Sequence, residues 1–261
     1  MKVALVQFAR DRVDRDTNLS RMCSMLSQLR DVDFVCLSEA WIGSLTLDEK
    51  DYARVLETLA EIAGNNGFNL LTGGLFNQRG PKSFDTCHII DRSGSVVGFF
   101  DKRFPSMAFG ERTRFSAGKD LPVFTVQSVK FGVMICVDAI YPELARAYAL
   151  QGAQIVFNPS NIPHNRNALW KHITSTRAAE NTVFCVYVNN TRTTYPDDRA
   201  VTGHSLVAGP DGEILLEGDD EERVLEYEID LSEIDKVRAR RQYLQDVHNF
   251  EGGVIRVGKP R

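Results

Sequence analysis

Residues 130–160, KFGVMICVDAIYPELARAYALQGAQIVFNPS, contain one strand–helix–strand unit, and the rest of the chain repeats its logic. KFGVMIC (130–136) is an apolar run rich enough in β-formers to read as a strand. A helix follows at Pro142, a residue suited to a first helical turn because its missing N–H would find no acceptor there. Gly152 stops it. AQIVFNPS then reads as a second strand. Its apolar character on both faces suits a sheet with helices on one side and another layer on the other.

Downstream, a helix is predicted over about 167–180, a strand in NTVFCVYVNN (181–190), and a hairpin in SLVAGPDGEILLE (205–217) turning at Gly209–Gly212. The same order occurs upstream. KVALVQF (2–8) is a strand. A helix runs from about Thr17 to Arg30, with Leu19, Met22, Leu26 and Leu29 at helical spacing and Asp16 or Thr17 as its cap. VDFVCLSE (32–39) is a buried strand ending at Glu39. A helix over about 48–63 places Tyr52, Val55, Leu56, Leu59 and Ile62 on one face, with Gly64 and Gly67 as its end. FNLLTGGLF (68–76) reads as one strand, its Gly73-Gly74 pair allowing close backbone packing rather than phosphate binding. CHIIDRSGSVVGFF (87–100) is a hairpin turning at Asp91–Ser95 and leading to Lys102. Strand, helix, strand, helix, strand, hairpin thus occurs twice. Two such α/β halves stacked sheet on sheet, helices outside, make one domain over 1–261. The tail adds a charged loop (219–222), a strand (224–230) and a helix over 231–244 capped near Ser232. Residues 245–261 form an expected arm at a subunit interface.

The bulk composition narrows the function. With 43% hydrophobic and 25% charged residues, the 261-residue chain is an ordinary globular protein. A net charge of −4 argues against a nucleic-acid partner, and Arg238, Arg240 and Arg241 are too short a run to alter that. Five widely spaced cysteines, most in apolar runs, fit a reducing compartment. The N-terminal apolar run is too short for a signal peptide or a membrane span. The expectation is a cytoplasmic protein with no membrane contact. No HExxH, four-ligand Cys/His cluster or Walker loop is present, so neither metal nor cofactor is expected.

Three reactive residues fall just beyond predicted strand ends: Glu39, Lys102 and Cys136. Ligands of α/β folds favour the loops outside the carboxyl ends of strands. Taken singly, a cysteine after an apolar strand is a core residue and a strand-end Lys or Glu a solvated one. Their joint occurrence in matching contexts is the signal. Cys136 with a histidine could also form a papain-like pair, but no local signature accompanies it. His164 and His172 read as surface or satisfied polar residues, though His164, Asn161 and Trp170 could line a pocket. Glu143 suits the helix dipole, and Glu180 reads as a buried, paired support.

These segments resemble the nitrilase (carbon–nitrogen hydrolase) superfamily. GVMICVDAIYPELARAYALQGAQIVFNPS is similar to its nucleophile region, with a Gly-x-x-Ile-Cys-x-Asp core followed by Pro-Glu. VDFVCLSEA resembles the segment of the catalytic glutamate, FFDKRFP that of the lysine, and GERTRFSAG that of a second glutamate, here Glu111. RAAENTVFCVYVNN and GHSLVAGPDGEILLE match later signatures, so the resemblance spans about residues 2–245. Ser38 stands where the family often has proline, and Val137 where an aromatic is common. Val137-Asp138 replaces the Trp-Glu of true nitrilases and looks more like the amidase and carbamoylase branches.

The resemblance implies a four-layer α-β-β-α sandwich and a homodimer or larger assembly. It implies hydrolysis of a non-peptide C–N bond in a small amide or N-carbamoyl amine through a cysteine thioester. Cys136 would be the nucleophile, Glu39 the general base, and Lys102 an oxyanion partner with the Val137 backbone N–H; Glu111 would orient Lys102 or substrate. A nitrile hydrolase on the same triad is the alternative within enzymes, and a catalytically silent binding protein the alternative outside them.

Overall fold

The computed structural model describes residues 1–107 and 110–249. The first half runs through β1 (Lys2–Gln7), α1 (Arg15–Leu26), β2 (Phe34–Leu37), α2 (Glu49–Asn66) and β3 (Asn69–Leu71), the three strands pairing in parallel. β4 (Leu75–Arg79), β5 (Lys82–Ile90) and β6 (Val96–Asp101) extend this sheet antiparallel. After the short α3 (Glu111–Arg114), the second half brings β7 (Phe124–Val126), β8 (Val129–Val133), α4 (Pro142–Leu150), β9 (Ile155–Pro159), α5 (Asn167–Asn181) and β10 (Phe184–Val188). β11 (Thr193–Thr194) and β12 (Ala200–Val201) form a small ribbon, and β13 (Leu206–Ala208) and β14 (Ile214–Glu217) complete a second sheet in the order β14-β13-β10-β9-β8-β7. β15 (Arg223–Glu228) then returns to the first sheet, antiparallel to β1, and α6 (Ser232–Arg240) and α7 (Tyr243–His248) follow.

Period-two alternation sorts each strand between two cores. From β1, Val3 and Leu5 join Phe34 and Cys36 of β2 against Phe131, Val133 and Phe157 of the second sheet. Ala4 and Val6 turn the other way, onto Leu19 and Met22 of α1 and Val55 and Leu59 of α2. On the far side, Leu144 and Tyr148 of α4 and Trp170 and Ala178 of α5 cover the second sheet. The four layers are therefore helices, sheet, sheet, helices, as expected. Phe34, Phe131 and Phe157 meet at the inter-sheet centre, with ring centroids 5.6–6.3 Å apart. Truncating Phe34 to alanine there would cost about 3–5 kcal/mol.

Several boundaries differ from the sequence reading. α1 starts earlier because Asp14, not Asp16 or Thr17, accepts the Thr17 N–H (2.9 Å), and it ends at Leu26 rather than Arg30. α2 runs through Gly64 to a left-handed Gly67. The strand expected over 68–76 breaks into β3 and β4. Gly73 between them is left-handed (φ 68°), and a Cβ there would lie 2.0 Å from the Ser38 carbonyl oxygen. The 231–244 helix splits into α6 and α7; Leu231 is the N-cap residue of α6, without a side-chain cap bond, and the Ser232 N–H donates to Asp230 Oδ1 (2.9 Å). Of the expected arm over 245–261, residues beyond 249 lie outside the described residues.

Candidate active site

The fold brings Glu39, Lys102 and Cys136 together from three strand ends. Glu39 follows β2, Lys102 follows β6, and Cys136 follows β8. Glu39 is fastened across the halves: its N–H donates to the Ser160 carbonyl (3.1 Å), and its carbonyl accepts from Asn190 Nδ2 (2.7 Å). Ser38, at the family's frequent proline position, donates its hydroxyl to Asn190 Oδ1 (2.6 Å). Lys102 Nζ donates to Glu39 Oε1 at 2.6 Å and to Glu111 Oε2 at 2.9 Å, and stands 3.4 Å from Asp85 Oδ2. Glu111 also accepts the Ser106 N–H (2.7 Å). Cys136 has a left-handed backbone (φ 52°), a conformation rare for non-glycine residues and common where a nucleophile is presented on a sharp turn. Val137, whose N–H was expected to help bind an oxyanion, lies in the first turn of the 3-10 helix Cys136–Ile140.

Burial dominates the electrostatics. It pushes the Cys136 thiol well above its usual range, Glu39 and Glu111 add to that, and Lys102 and a hydrogen bond from the Asn161 N–H oppose it. Burial thus favours the neutral thiol over the thiolate. For Lys102, burial alone would disfavour the ammonium, but Glu39, Cys136, Glu111 and Asp85 outweigh it and hold the group well above its ordinary value.

Two site carboxyls escaped the sequence reading. Asp138, fully buried, accepts backbone N–H groups from Ile135 (3.1 Å), Arg103 (3.1 Å) and Phe104 (2.8 Å), tying the loop after Lys102 to the turn that carries Cys136. Burial raises its carboxyl to about 6 against those bonds and Lys102. Asp85 on β5 is buried behind Lys102. Its signal was present in the alternation, since Asp85 shares its strand face with the core residues Cys87 and Ile89.

Beside these groups lies a cavity of about 60 Å³ lined by Arg10, Glu39, Phe76, Glu111, Asn161 and Tyr195, among others. At ~10–15 Å³ per water-sized group, that admits only a few heavy atoms without side-chain movement. Arg10, also missed from sequence, is 5% exposed. Its Nη1 donates to the Ala40 carbonyl (2.5 Å), its Nε is buried without a partner, and among the described residues it forms no ion pair. Burial lowers it to about 10. Asn161 lines the cavity as expected. His164 does not: it is exposed and bonds Thr202 Oγ1 (2.9 Å). Trp170 is buried under α5 in the core. Glu180 pairs with Arg177 (2.8 Å) but is 31% exposed rather than buried, because it sits at the solvent side of α5. All five cysteines are free. Among the described residues no cluster of three or more His, Cys, Asp or Glu could hold a metal ion, and no helix is long and apolar enough to cross a membrane.

A profile of the carbon-nitrogen hydrolase family matches residues 2–239. The 2-oxoglutaramate amidase of Bacillus subtilis (strain 168) is 29% identical over 221 residues, spanning 82% of this chain and 85% of its own. Omega-amidase NIT2-A of Xenopus laevis is 29% identical over 273 residues, spanning 96% and 97%. Among solved structures, Saccharomyces cerevisiae Nit3, a member of branch 10 of the nitrilase superfamily, aligns with a TM-score of 0.83 at 25% identity over 92% of this chain and 94% of its own. The carbon-nitrogen hydrolase of Helicobacter pylori G27 shares the fold with a TM-score of 0.87 at 23% identity over 94% of each. With the profile matched across almost the whole length and the four-layer fold shared, this chain belongs to the carbon-nitrogen hydrolase family, in the nitrilase superfamily, and is an amide-cleaving hydrolase.

Proposed function

We propose that the chain hydrolyses a short linear amide bearing a carboxylate at its far end, releasing ammonia through a thioester on Cys136. The observation that carries this reading is the buried meeting of one thiol, one carboxylate and one ammonium, with the carboxylate of Glu39 also lining a small cavity. Glu39 takes the thiol proton as the sulfur attacks the amide carbon, and the C=O π pair moves onto oxygen. Lys102 and the Val137 N–H stabilise that oxyanion, Glu111 holding Lys102 in place. As the carbonyl reforms, the C–N bond breaks and Glu39 returns its proton to nitrogen, so ammonia leaves and a thioester remains. Water then gives a proton to Glu39 while its oxygen attacks the thioester. Collapse expels the sulfur, which recovers that proton. The sum is amide plus water to acid plus ammonia, with no cofactor needed.

Arg10 supports the anionic far end. A buried cation with no counter-ion in salt-bridge contact among the described residues is expensive, and a substrate carboxylate in the adjoining cavity would pair it. The substrate in one relative's name, 2-oxoglutaramate, has that shape, and the side chains lining the cavity would have to move to admit a molecule of its length. Val137-Asp138 after the nucleophile favours an amide over a nitrile. As the family resemblance implies, the working form is a homodimer or larger homo-oligomer, and five free cysteines, most of them in apolar runs, fit a cytoplasmic location.

The test is ammonia release from ω-amides, neutral short amides, N-carbamoyl amines and nitriles, with wild type beside Cys136→Ala. Release from ω-amides that vanishes in the variant is expected. Release from nitriles alone would make the protein a nitrile hydrolase, and none from any class, in folded protein, would leave a binding protein on this fold.

A further inference from the structure

The proposed mechanism leaves the buried carboxyl of Asp85 unused. The Asp85 side chain is fully buried, and its backbone carbonyl accepts the Lys102 N–H (2.8 Å). Among the described residues no N–H or hydroxyl donates to either carboxyl oxygen. The carboxyl instead stands beside that of Glu39, both facing Lys102 Nζ, which is 2.6 Å from Glu39 Oε1 and 3.4 Å from Asp85 Oδ2. Gly74 makes room for the meeting: a Cβ there would stand 2.5 Å from Asp85 Oδ1 and 2.9 Å from Glu39 Cγ.

The charge inventory forces a proton into this cluster. Glu39, Asp85 and Glu111 surround a single ammonium, with the Arg10 guanidinium farther off beside Glu39, so full ionisation would leave three negative charges against the one cation they all touch. Two carboxyls in contact cannot both stay ionised. Glu39 accepts Lys102 at 2.6 Å, and Glu111 accepts both Lys102 and the Ser106 N–H. Asp85 alone has no close donor. We propose that Asp85 is held as a neutral carboxylic acid that donates its proton to Glu39, a positioning residue that keeps Glu39 ionised and aimed as the base. Lys102, Glu39, Glu111 and the Cys87 thiol are the titratable groups facing Asp85. Burial pushes its carboxyl well above the usual range against Lys102, and Glu39 and Glu111 push it further, in agreement with the geometry.

The assignment rests on Glu39 serving as the base, so its test has an arm that needs no turnover. In the infrared difference between resting wild type and Asp85→Asn, the carbonyl band of a protonated carboxyl should appear for wild type alone. In the amide assay, asparagine keeps a neutral donor, so Asp85→Asn should stay within about threefold of wild-type kcat/KM at neutral pH, while Asp85→Ala falls about tenfold or more. Wild-type activity should also decline on the alkaline side as Asp85 ionises, a limb that asparagine removes. If the alanine variant fails to fold, the asparagine variant and the infrared band decide. Absence of the band, or an asparagine variant damaged more than about tenfold, would overturn the proposal and make Asp85 an ionised partner of Lys102. Failure of wild type to cleave any amide would instead sink the amidase reading, leaving the band to be read on its own.

Discussion

Replacing Lys102 with arginine preserves the charge and changes the shape. Lys102 serves Glu39, Glu111 and Asp85 from one nitrogen, at 2.6, 2.9 and 3.4 Å, in a side chain 1% exposed. A guanidinium spreads its donors over a rigid planar fork and cannot converge them on that point. Forcing the bulkier group into this packed interior costs about 1–3 kcal/mol. At about 2–4 °C per kcal/mol, the melting temperature should fall by roughly 2–12 °C and the fold persist. Catalysis suffers more. Losing one preorganised oxyanion donor costs about 2.7–4 kcal/mol, or about 10²–10³ in kcat. Displacing Glu39, which the 2.6 Å bond holds beside Cys136, adds to that.

Lys102→Arg should therefore retain about a thousandth of wild-type turnover or less in a coupled ammonia assay on an ω-amide. Lys102→Met separates charge from shape. It strands Glu39 and Glu111 without their cation, and breaking such a buried pair costs about 3–5 kcal/mol. Methionine should thus melt below arginine while both are nearly inactive. An arginine variant within about tenfold of wild type would refute the reasoning and remove Lys102 from the oxyanion step.

Arg10→Gln should lower kcat/KM for a carboxylate-bearing amide by about 100-fold or more, the expected loss of a buried charge pair, and lower that for its neutral analogue much less; equal losses would make Arg10 a purely structural cation. The pH dependence of stability should carry two opposed contributions. Asp138 titrates near 6 in the fold and near 3.9 when unfolded, so between about pH 4 and 6 only the native state holds the proton and stability falls as pH rises, by on the order of 3 kcal/mol. His88, lowered to about 4 by burial, behaves oppositely: between about pH 4 and 6.5 only the unfolded state is protonated, so stability rises with pH. Urea titrations across that window should give wild-type-minus-variant curves of opposite slope for Asp138→Asn and His88→Gln; parallel curves would contradict both assignments.

Features that a local pattern decides were legible in the sequence. The apolar runs KVALVQF and VDFVCLSE located β1 and β2, and helical spacing from Leu19 to Leu26 located α1. Glu39, Lys102 and Cys136 were readable because each ends or follows a strand, and strand ends of two stacked sheets converge. What stayed hidden depends on contacts far apart in the chain. The break between β3 and β4 exists because Gly73 lies against Ser38. Arg10 carries no local signal, because its burial depends on a carbonyl 30 residues away, that of Ala40. Asp138 looked like a motif letter, and its three N–H donors come from both sides of the site. His164 pointed outward because Thr202, 38 residues later, satisfies it there.

Asp85 marks the boundary between these two kinds of information. Along SFDTCHII it falls on the same strand face as Cys87 and Ile89, where the pattern calls for an apolar residue. A single acid on a core face conflicts with burial unless other groups are arranged around it. Its neighbours supply that arrangement from distant parts of the chain: Lys102 from the end of β6, Glu39 from the end of β2, and Gly74 with a missing side chain. Periodicity could show the conflict but not its resolution, because the compensating groups are near only after both β2 and β6 have taken their places in the sheet. A polar residue that breaks a strand's inward alternation is therefore a pointer to the site even where no family motif includes it. In this chain that exception stands against the ammonium that the proposed oxyanion step requires.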